Sequence, residues 1–303
     1  MPQREHFCTQ GLLETLLEAR GVAPQSRDSF LHPKYEDLYD PFLFQDMRKA
    51  CQRIFDAITH KEKITIHGDY DADGVCSSAL LSQIIKDLGG EVDVYIPHRE
   101  KEGYGVAMQT VETIASNKTN LLITVDCGSA NKESLEYAQS LGIDVIITDH
   151  HHVPKDTPQV FALINPQNPN DHYPFGYLCG TGVAFKVAQA LCVIDSTATT
   201  PRLSKGYDKW LLDLVAVATI ADMMSVLDEN RILITYGLKV LQKTKRKGLK
   251  KLMELAGLVV NDATPITPYD IGFVIAPRLN AAGRMDHANA AFFLLTNQDD
   301  DAI

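Results

Sequence analysis

The stretch Lys63-Ile-Thr-Ile-His-Gly-Asp-Tyr-Asp-Ala-Asp-Gly-Val-Cys-Ser-Ser-Ala-Leu-Leu81 decides the fold. It opens on a short β-branched run, passes through three aspartates at alternate positions, and closes on an apolar helical pattern. Asp69, Asp71, Asp73 and Gly74 match the first half of an EF-hand calcium loop. That loop follows a helix and ends on a glutamate at its twelfth position, which here is Leu80. A strand precedes this one, so the calcium reading fails and another partner must balance the carboxylates.

Outward from this stretch the same unit repeats. Apolar strand patterns fall at 63–68, 92–96, 121–125, 144–148 and 160–164, with helical patterns between them at 75–88, 105–116 and 130–141. Strands alternating with helices of this length predict an α/β fold, a Rossmann-like, mainly parallel five-stranded sheet covered by helices on both faces. Beyond Pro174 the chain turns helical: 182–191, a buried helix from Tyr207 to Ala221, and two more across 229–257 broken near Gly248. An Asn-, Ala- and Gly-rich loop and a short apolar helix occupy 271–303. Leu12, Leu13, Leu16 and Leu17 have helical spacing in residues 1–50, an N-terminal extension to a main domain at 51–303.

Ligands of parallel α/β sheets bind beyond the carboxyl ends of the strands. The first strand ends in His67, Asp69, Asp71 and Asp73, the third in Asp126, and the fourth in Asp149-His-His-His152. Taken singly, Asp73 reads as a helix cap, Asp71 as an Asx-turn and Asp126 as a strand-end turn residue. Together they crowd acids and imidazoles at one sheet edge. Two carboxylates about 4 Å apart repel by about 4 kcal/mol at an effective dielectric of about 20, so such a cluster needs cations or protons. Aspartate and histidine without thiolate suit Mn²⁺, Mg²⁺ or Zn²⁺. Asp222 ends the buried helix and needs a metal, a base or solvent.

Composition excludes other classes. No apolar run reaches the about 18 residues of a membrane span, and MPQREHFCTQ lacks the layout of a signal peptide. The six cysteines are scattered without a C-x-x-C pair, which favours reduced thiols in a cytoplasm over structural zinc. A net charge of −10 argues against non-specific coating of nucleic acid. Lys243 to Lys251 nevertheless holds six basic residues in nine, as a solvated helix end or a phosphate-contacting patch.

These residues resemble the DHH phosphoesterase superfamily, within it the RecJ-type single-strand-specific 5′→3′ exonucleases. GDYDADGVCSSALL, LLITVDCGSAN, DVIITDHH and VAVATIADMMSVLDENR resemble its four motifs, and the likeness extends through LYDPFLFQDMRKACQRI, IPHREKEGYG, LCGTGVAFKVAQAL and APRLNAAGRM. It covers nearly the whole chain from about residue 35.

The resemblance implies a site for two divalent cations, Mn²⁺ or Mg²⁺, held by His67, Asp71, Asp73, Asp126, His150 and Asp222, with Asp126 as the bridge. Asp149 then orients a neighbour, His151 contacts the phosphate, and Asp69 is structural. Arg99 is expected to grip a 5′ phosphate, with Arg278, Asn280 and Arg284 on the backbone. Tyr104 is a candidate to stack a base, and the Gly180-Thr-Gly182 turn offers amides to another phosphate.

The implied reaction is hydrolysis of single-stranded DNA to 5′-mononucleotides, in DNA repair and recombination. The expected partners are single-stranded DNA, a single-strand-binding protein and a helicase, for a monomeric cytoplasmic protein. Family exonucleases continue into a DHHA1 domain with a GGH-type motif and an oligonucleotide-binding barrel. Neither is recognisable in the 303 residues, so a catalytic core with weak activity is expected. The alternatives are another DHH enzyme (a manganese pyrophosphatase, or a phosphodiesterase of cyclic dinucleotides or short oligonucleotides) and a non-catalytic replication scaffold.

Overall fold

A computed structural model of the chain describes residues 9–285 and 287–299. In order, the elements are α1 (Thr9–Ala19), α2 (Arg27–Leu31), α3 (Met47–His60), β1 (Lys63–Gly68), α4 (Ala72–Asp87) and β2 (Glu91–Tyr95). Then follow α5 (Met108–Ser116), β3 (Leu121–Val125), α6 (Lys132–Ser140), β4 (Asp144–Thr148), β5 (Ala162–Ile164) and α7 (Gly180–Ser196). The helical part holds α8 (Leu212–Ala221), α9 (Asp228–Leu241) and α10 (Lys247–Leu255). It ends with α11 (Pro268–Asp270), a π-helical turn (Ile271–Ile275), α12 (Ala276–Met285) and α13 (Asn289–Thr296).

The five strands pair in parallel in the order β2-β1-β3-β4-β5. The α/β reading of the sequence is borne out. The order reverses between β1 and β3, and such a switch point is where open α/β sheets bind ligands. Register fixes the edge: Gly68 lies beside Val125, Val125 beside Thr148, and Thr148 beside Ile164. The residues that follow β1, β3 and β4 therefore leave the sheet side by side.

Alternation along the strands feeds two cores. Ile64, Ile66, Ile123 and Ile146 face the side covered by α3, α4 and α7, whereas Leu122, Val145 and Ile147 face α5 and α6. Helix α4 is buried nearly all round because the sheet lies on one side and α7, α8 and α13 on the other. Its serines need partners in that setting, and Ser77 and Ser78 donate to the carbonyls of Asp73 and Gly74 at 2.7 and 2.8 Å. Glycines let α4 press on β1. A Cβ on Gly68 would lie 2.0 Å from Ser78 Oγ, and one on Gly74 2.5 Å from the Asp69 carbonyl oxygen.

Two buried ion pairs knit the helical part. Lys186 pairs with Glu229, both fully buried, and Glu229 also accepts from Tyr173 Oη (2.6 Å) and the Tyr39 amide (3.0 Å). Arg246 meets Asp213 and reaches Gln83 of α4 and the Leu295 carbonyl of α13. Satisfied on every side, these charges avoid the cost of an isolated buried ion.

The structure corrects several expected boundaries. Tyr207–Leu211 is a 3₁₀ turn ahead of α8, and β5 keeps three residues of the apolar run. The break in 229–257 falls at 242–246, not at Gly248. Gly248 lies in the first turn of α10, where a Cβ would sit 1.9 Å from the Leu294 carbonyl oxygen. It is a glycine of close packing. No helix among the described residues is long and apolar enough to cross a membrane.

Candidate metal centre

The three aspartates after β1 diverge in role. Helix α4 begins at Ala72, and its N-cap is Asp71, whose Oδ1 accepts from the amides of Asp73 (2.9 Å) and Gly74 (3.1 Å). Asp73, the sequence candidate for that cap, lies inside the first turn. Its carboxylate accepts from the Gly180 and Thr181 amides at 2.7 Å each and from Thr181 Oγ1 at 2.6 Å. The Gly180-Thr-Gly182 turn thus gives two amides to Asp73, and the expected phosphate cradle is filled by this chain's own carboxylate. An anion at the N-terminus of α7 also meets the positive end of the helix dipole.

Asp126 follows β3 with φ of 60°, a left-handed conformation that aspartate tolerates better than most residues. Its amide donates to the Thr148 carbonyl at 2.9 Å, and Tyr104 Oη donates to its carbonyl at 3.3 Å. Gly180 must be glycine beside it, since a Cβ there would lie 2.5 Å from Asp126 Oδ1. Asp149, after β4, accepts from the Ser129, His150 and His151 amides and from His151 Nδ1 at 2.8 Å. Burial opposes its charge, yet these bonds, led by His151, hold the carboxyl well below the usual range. Asp149 therefore orients its two neighbours.

Three ligand-like groups form, each with its donor atoms within 4.8 Å: Asp73, His150 and Asp222; Asp69, Asp71 and Asp126; and Asp126, His150 and His151. His150 Nε2 lies 3.1 Å from Asp126 Oδ1, 3.7 Å from Asp222 Oδ2 and 3.8 Å from Asp73 Oδ2. Asp126 is shared by the second and third groups, and His150 by the first and third. Asp69 stands among them, although sequence reasoning left it outside the ligand set. His67 is fully buried, stacked on Tyr95 at 5.7 Å with Nδ1 3.6 Å from Cys127 Sγ, and it joins none of the three groups.

The donor set fits divalent cations. His67 Nε2 and Asp69 Oδ1 are buried without a hydrogen-bond partner, and Asp126 Oδ1 has only the His150 ring nitrogen nearby, out of hydrogen-bond alignment, which is costly for polar atoms with no ion to meet. The carboxyls also disfavour one another. Burial, then Asp73, Asp71 and Asp69, push Asp126 far up, while Asp69 (burial, then Asp71) and Asp222 (burial, then Asp73) rise to about 7. Burial lowers His67 to about 4 and lowers His150, so both offer neutral nitrogens. His151 alone is raised, by its bond to Asp149.

Beside these acids opens a cleft of about 320 Å³ lined by Arg99, Tyr104, His151, Asn280 and Arg284. Arg99 lies 5.2 Å over the Tyr70 ring, and Tyr104 Oη is 3.0 Å from His151 Nδ1. Asn280 Oδ1 accepts from the Ala72 amide at 2.7 Å, which ties α12 to the cap of α4. Gly283 allows that approach, since a Cβ would meet the Tyr70 carbonyl oxygen at 2.7 Å. Arg278 is not brought to the cleft: its Nη1 donates to the Val274 carbonyl at 2.8 Å, on the exposed side of the helix. Sequence reasoning missed Thr181 as the clamp on Asp73. It also missed Asn165, whose Nδ2 donates to Ser129 Oγ and the His151 carbonyl at 2.9 Å each. Asn165 at the end of an apolar strand, just before a proline, was the available signal for the second.

A switch-point site of this composition defines an α/β domain whose acids and imidazoles suit divalent cations. Residues 63–219 match the model of the DHH family, N-terminal domain, and the chain belongs to that family. Among curated relatives it is 44% identical over 289 residues to the single-stranded-DNA-specific exonuclease RecJ of Bacillus subtilis, covering 95% of this chain and 35% of the relative. It is 36% identical over 260 residues to the RecJ of Escherichia coli, covering 82% and 44%. Among solved structures it is similar to exonuclease RecJ bound to manganese, with a TM-score of 0.74, 34% identity, and 86% and 62% of the two chains covered. It is also similar to RecJ of Thermus thermophilus in complex with Mn²⁺, with a TM-score of 0.71, 29% identity, and 96% and 41% covered. The chain thus spans less than half the length of those two curated relatives.

Proposed function

We propose that this chain is the catalytic unit of a two-metal single-stranded-DNA exonuclease that works 5′→3′ and releases 5′-mononucleotides, in DNA repair and recombination. The observation that carries the reading is Asp126, shared between two clusters of ligands beside a cleft rimmed by Arg99 and Arg284. Asp73, His150, Asp222 and Asp126 would hold one cation. Asp71, Asp126 and His67 would hold the other, with Asp69 beside them. When bound, such a pair of Mn²⁺ or Mg²⁺ ions lowers the pKa of the attacking water and offsets charge on the phosphoryl oxygens.

The remaining work falls to this chain's own groups. Asp149 holds His151 through Nδ1, which presents its other nitrogen and a raised proton affinity to the cleft. His151 then donates to a phosphoryl oxygen or to the departing oxygen. Arg99 and Arg284 supply planar donor forks for a terminal phosphate, and Asn280 fixes the start of α4 beneath them. The division at about residue 51, a monomeric state, a cytoplasmic setting, and recruitment by a single-strand-binding protein or helicase belong to the same proposal.

The test is an assay with Mn²⁺ on four substrates: 5′-phosphorylated single strand, the matching duplex, pyrophosphate and a dinucleotide. Release of mononucleotide from the single strand supports the reading. Turnover of pyrophosphate or dinucleotide alone would assign the site to another DHH phosphoesterase. Absence of any turnover together with absence of Mn²⁺ binding by calorimetry would point to a scaffold.

A further inference from the structure

A second surface lies at the other end of α8 from Asp222, about 15 Å away at 1.5 Å per residue over its ten residues. There the 3₁₀ turn Tyr207–Leu211 and the C-terminal half of α9 enclose a groove of about 680 Å³, floored by Leu212, Val240, Tyr236 and Trp210. Lys205, Lys209, Lys239 and Lys243 rim it, with Lys245 alongside, and all five are exposed. None of them forms an ion pair among the described residues. Asp208, the acid on the rim, is engaged by Tyr35 Oη. A chain of net charge −10 therefore gathers unpaired ammonium groups around exposed aromatic surface at one place.

Three of these ammonium groups lie over rings: Lys245 over Trp210 at 4.0 Å, Lys209 over Tyr35 at 4.5 Å and Lys239 over Tyr236 at 4.8 Å. A cation over a ring marks an electron-rich face. A phosphate draws the cation aside and frees that face for a base, the combination by which single strands are held without sequence preference. Lys239, in the last turn of α9, and Lys243, in the turn that follows the helix, both rim the groove and offer it two ammonium groups for phosphates.

We propose that this groove binds single-stranded nucleic acid away from the metal centre, with the lysines on phosphates and Trp210 stacked on a base. The choice of polymer rests on the function proposed above; the groove itself does not. An acidic peptide is the competing occupant. It would use the same ammonium groups but has no need of the Trp210 ring face.

Trp210 is the chain's single tryptophan, so its fluorescence reports this groove alone. The chain is freed of metal with EDTA, which prevents cleavage, and titrated with a short oligothymidylate. Quenching of Trp210 that weakens with salt is expected. In the double variant Lys239→Glu/Lys243→Glu the slope of log affinity against log salt should fall by about 1.4, at about 0.7 per lost contact. Arg99→Ala, in the distant cleft, should quench as the parent does. An unquenched Trp210, an unchanged salt slope in the double variant, or quenching by polyglutamate instead of the oligonucleotide would each overturn the inference. Cleavage is read separately with Mn²⁺. A chain that cleaves without quenching sinks this inference alone, and one that quenches without cleaving sinks only the proposed function.

Discussion

Thr181 holds Asp73 twice on one oxygen, through its amide at 2.7 Å and its hydroxyl at 2.6 Å. The clamp joins the N-terminus of α7 to the first turn of α4 and aims the second carboxylate oxygen toward His150. Thr181→Val keeps the shape and removes one donor to a buried charge. The expected loss is about 1.5–3 kcal/mol of stability, the worth of a hydrogen bond to a charged group. Mn²⁺ affinity should fall about 10- to 100-fold, as when a ligand loses its support. Thermal denaturation and calorimetry check the two effects.

Asp126→Asn should separate function from stability. Asparagine adopts the left-handed backbone that this position requires, and it removes a buried carboxyl repelled by Asp73, Asp71 and Asp69. Without metal the variant should melt higher than the parent. With Mn²⁺ it should lose the metal-dependent rise in Tm, and turnover should drop by at least about 10²–10³. A variant that keeps full Mn²⁺-dependent turnover would remove Asp126 from the shared position.

Metal binding should be linked to protons with a definite sign. Asp69 and Asp222 rise from 3.8 to about 7 in the folded protein. A raised folded value means that the folded state binds the extra protons between about pH 4 and 7, so this part of the stability is present at low pH and lost as pH climbs through about 7. Cations must displace those protons. The difference in Tm between Mn²⁺ and EDTA should widen from pH 5 to 8. Calorimetry in buffers of different ionisation enthalpy should show proton release at pH 6 that shrinks by pH 8.

The three arginines offered for substrate should not behave alike. Arg99 and Arg284 line the cleft, whereas Arg278 is bonded to the Val274 carbonyl. Arg99→Ala and Arg284→Ala should each weaken kcat/KM for a 5′-phosphorylated strand about 10- to 150-fold, from charged hydrogen bonds worth about 1.5–3 kcal/mol. Arg278→Ala should change it less than about twofold by the scale of isolated surface charges.

Much of this was legible in the chain, and the exceptions share a cause. Near-continuous apolar strands and the side-by-side exits after Gly68, Val125 and Thr148 follow from apolar pattern and parallel register, both local properties. The partner of Asp73 was not legible, because it lies 108 residues away and depends on how α7 docks on α4. The stretch from Ile271 read as a loop rich in Asn, Ala and Gly, but it forms the π-helical turn and α12, and only the helix sets the facing of its polar residues. Asn280 and Arg284 are spaced i,i+4 and share a side, while Arg278 stands two residues, about 200°, from Asn280. Asp69 was set aside through the resemblance alone. The structure brings its carboxylate within 4.8 Å of those of Asp71 and Asp126.

The clusters at the sheet edge draw their members from the segments that follow β1, β3 and β4, except for Asp222, which arrives on the C-terminal end of α8. A cation seated between Asp222 and His150 would be a removable rivet between the sheet and the helical half. At a free concentration a hundredfold above its dissociation constant, it would add about 2.7 kcal/mol to that union. Chelation should then open the seam locally, with hydrogen exchange quickening along α8 before the strands respond.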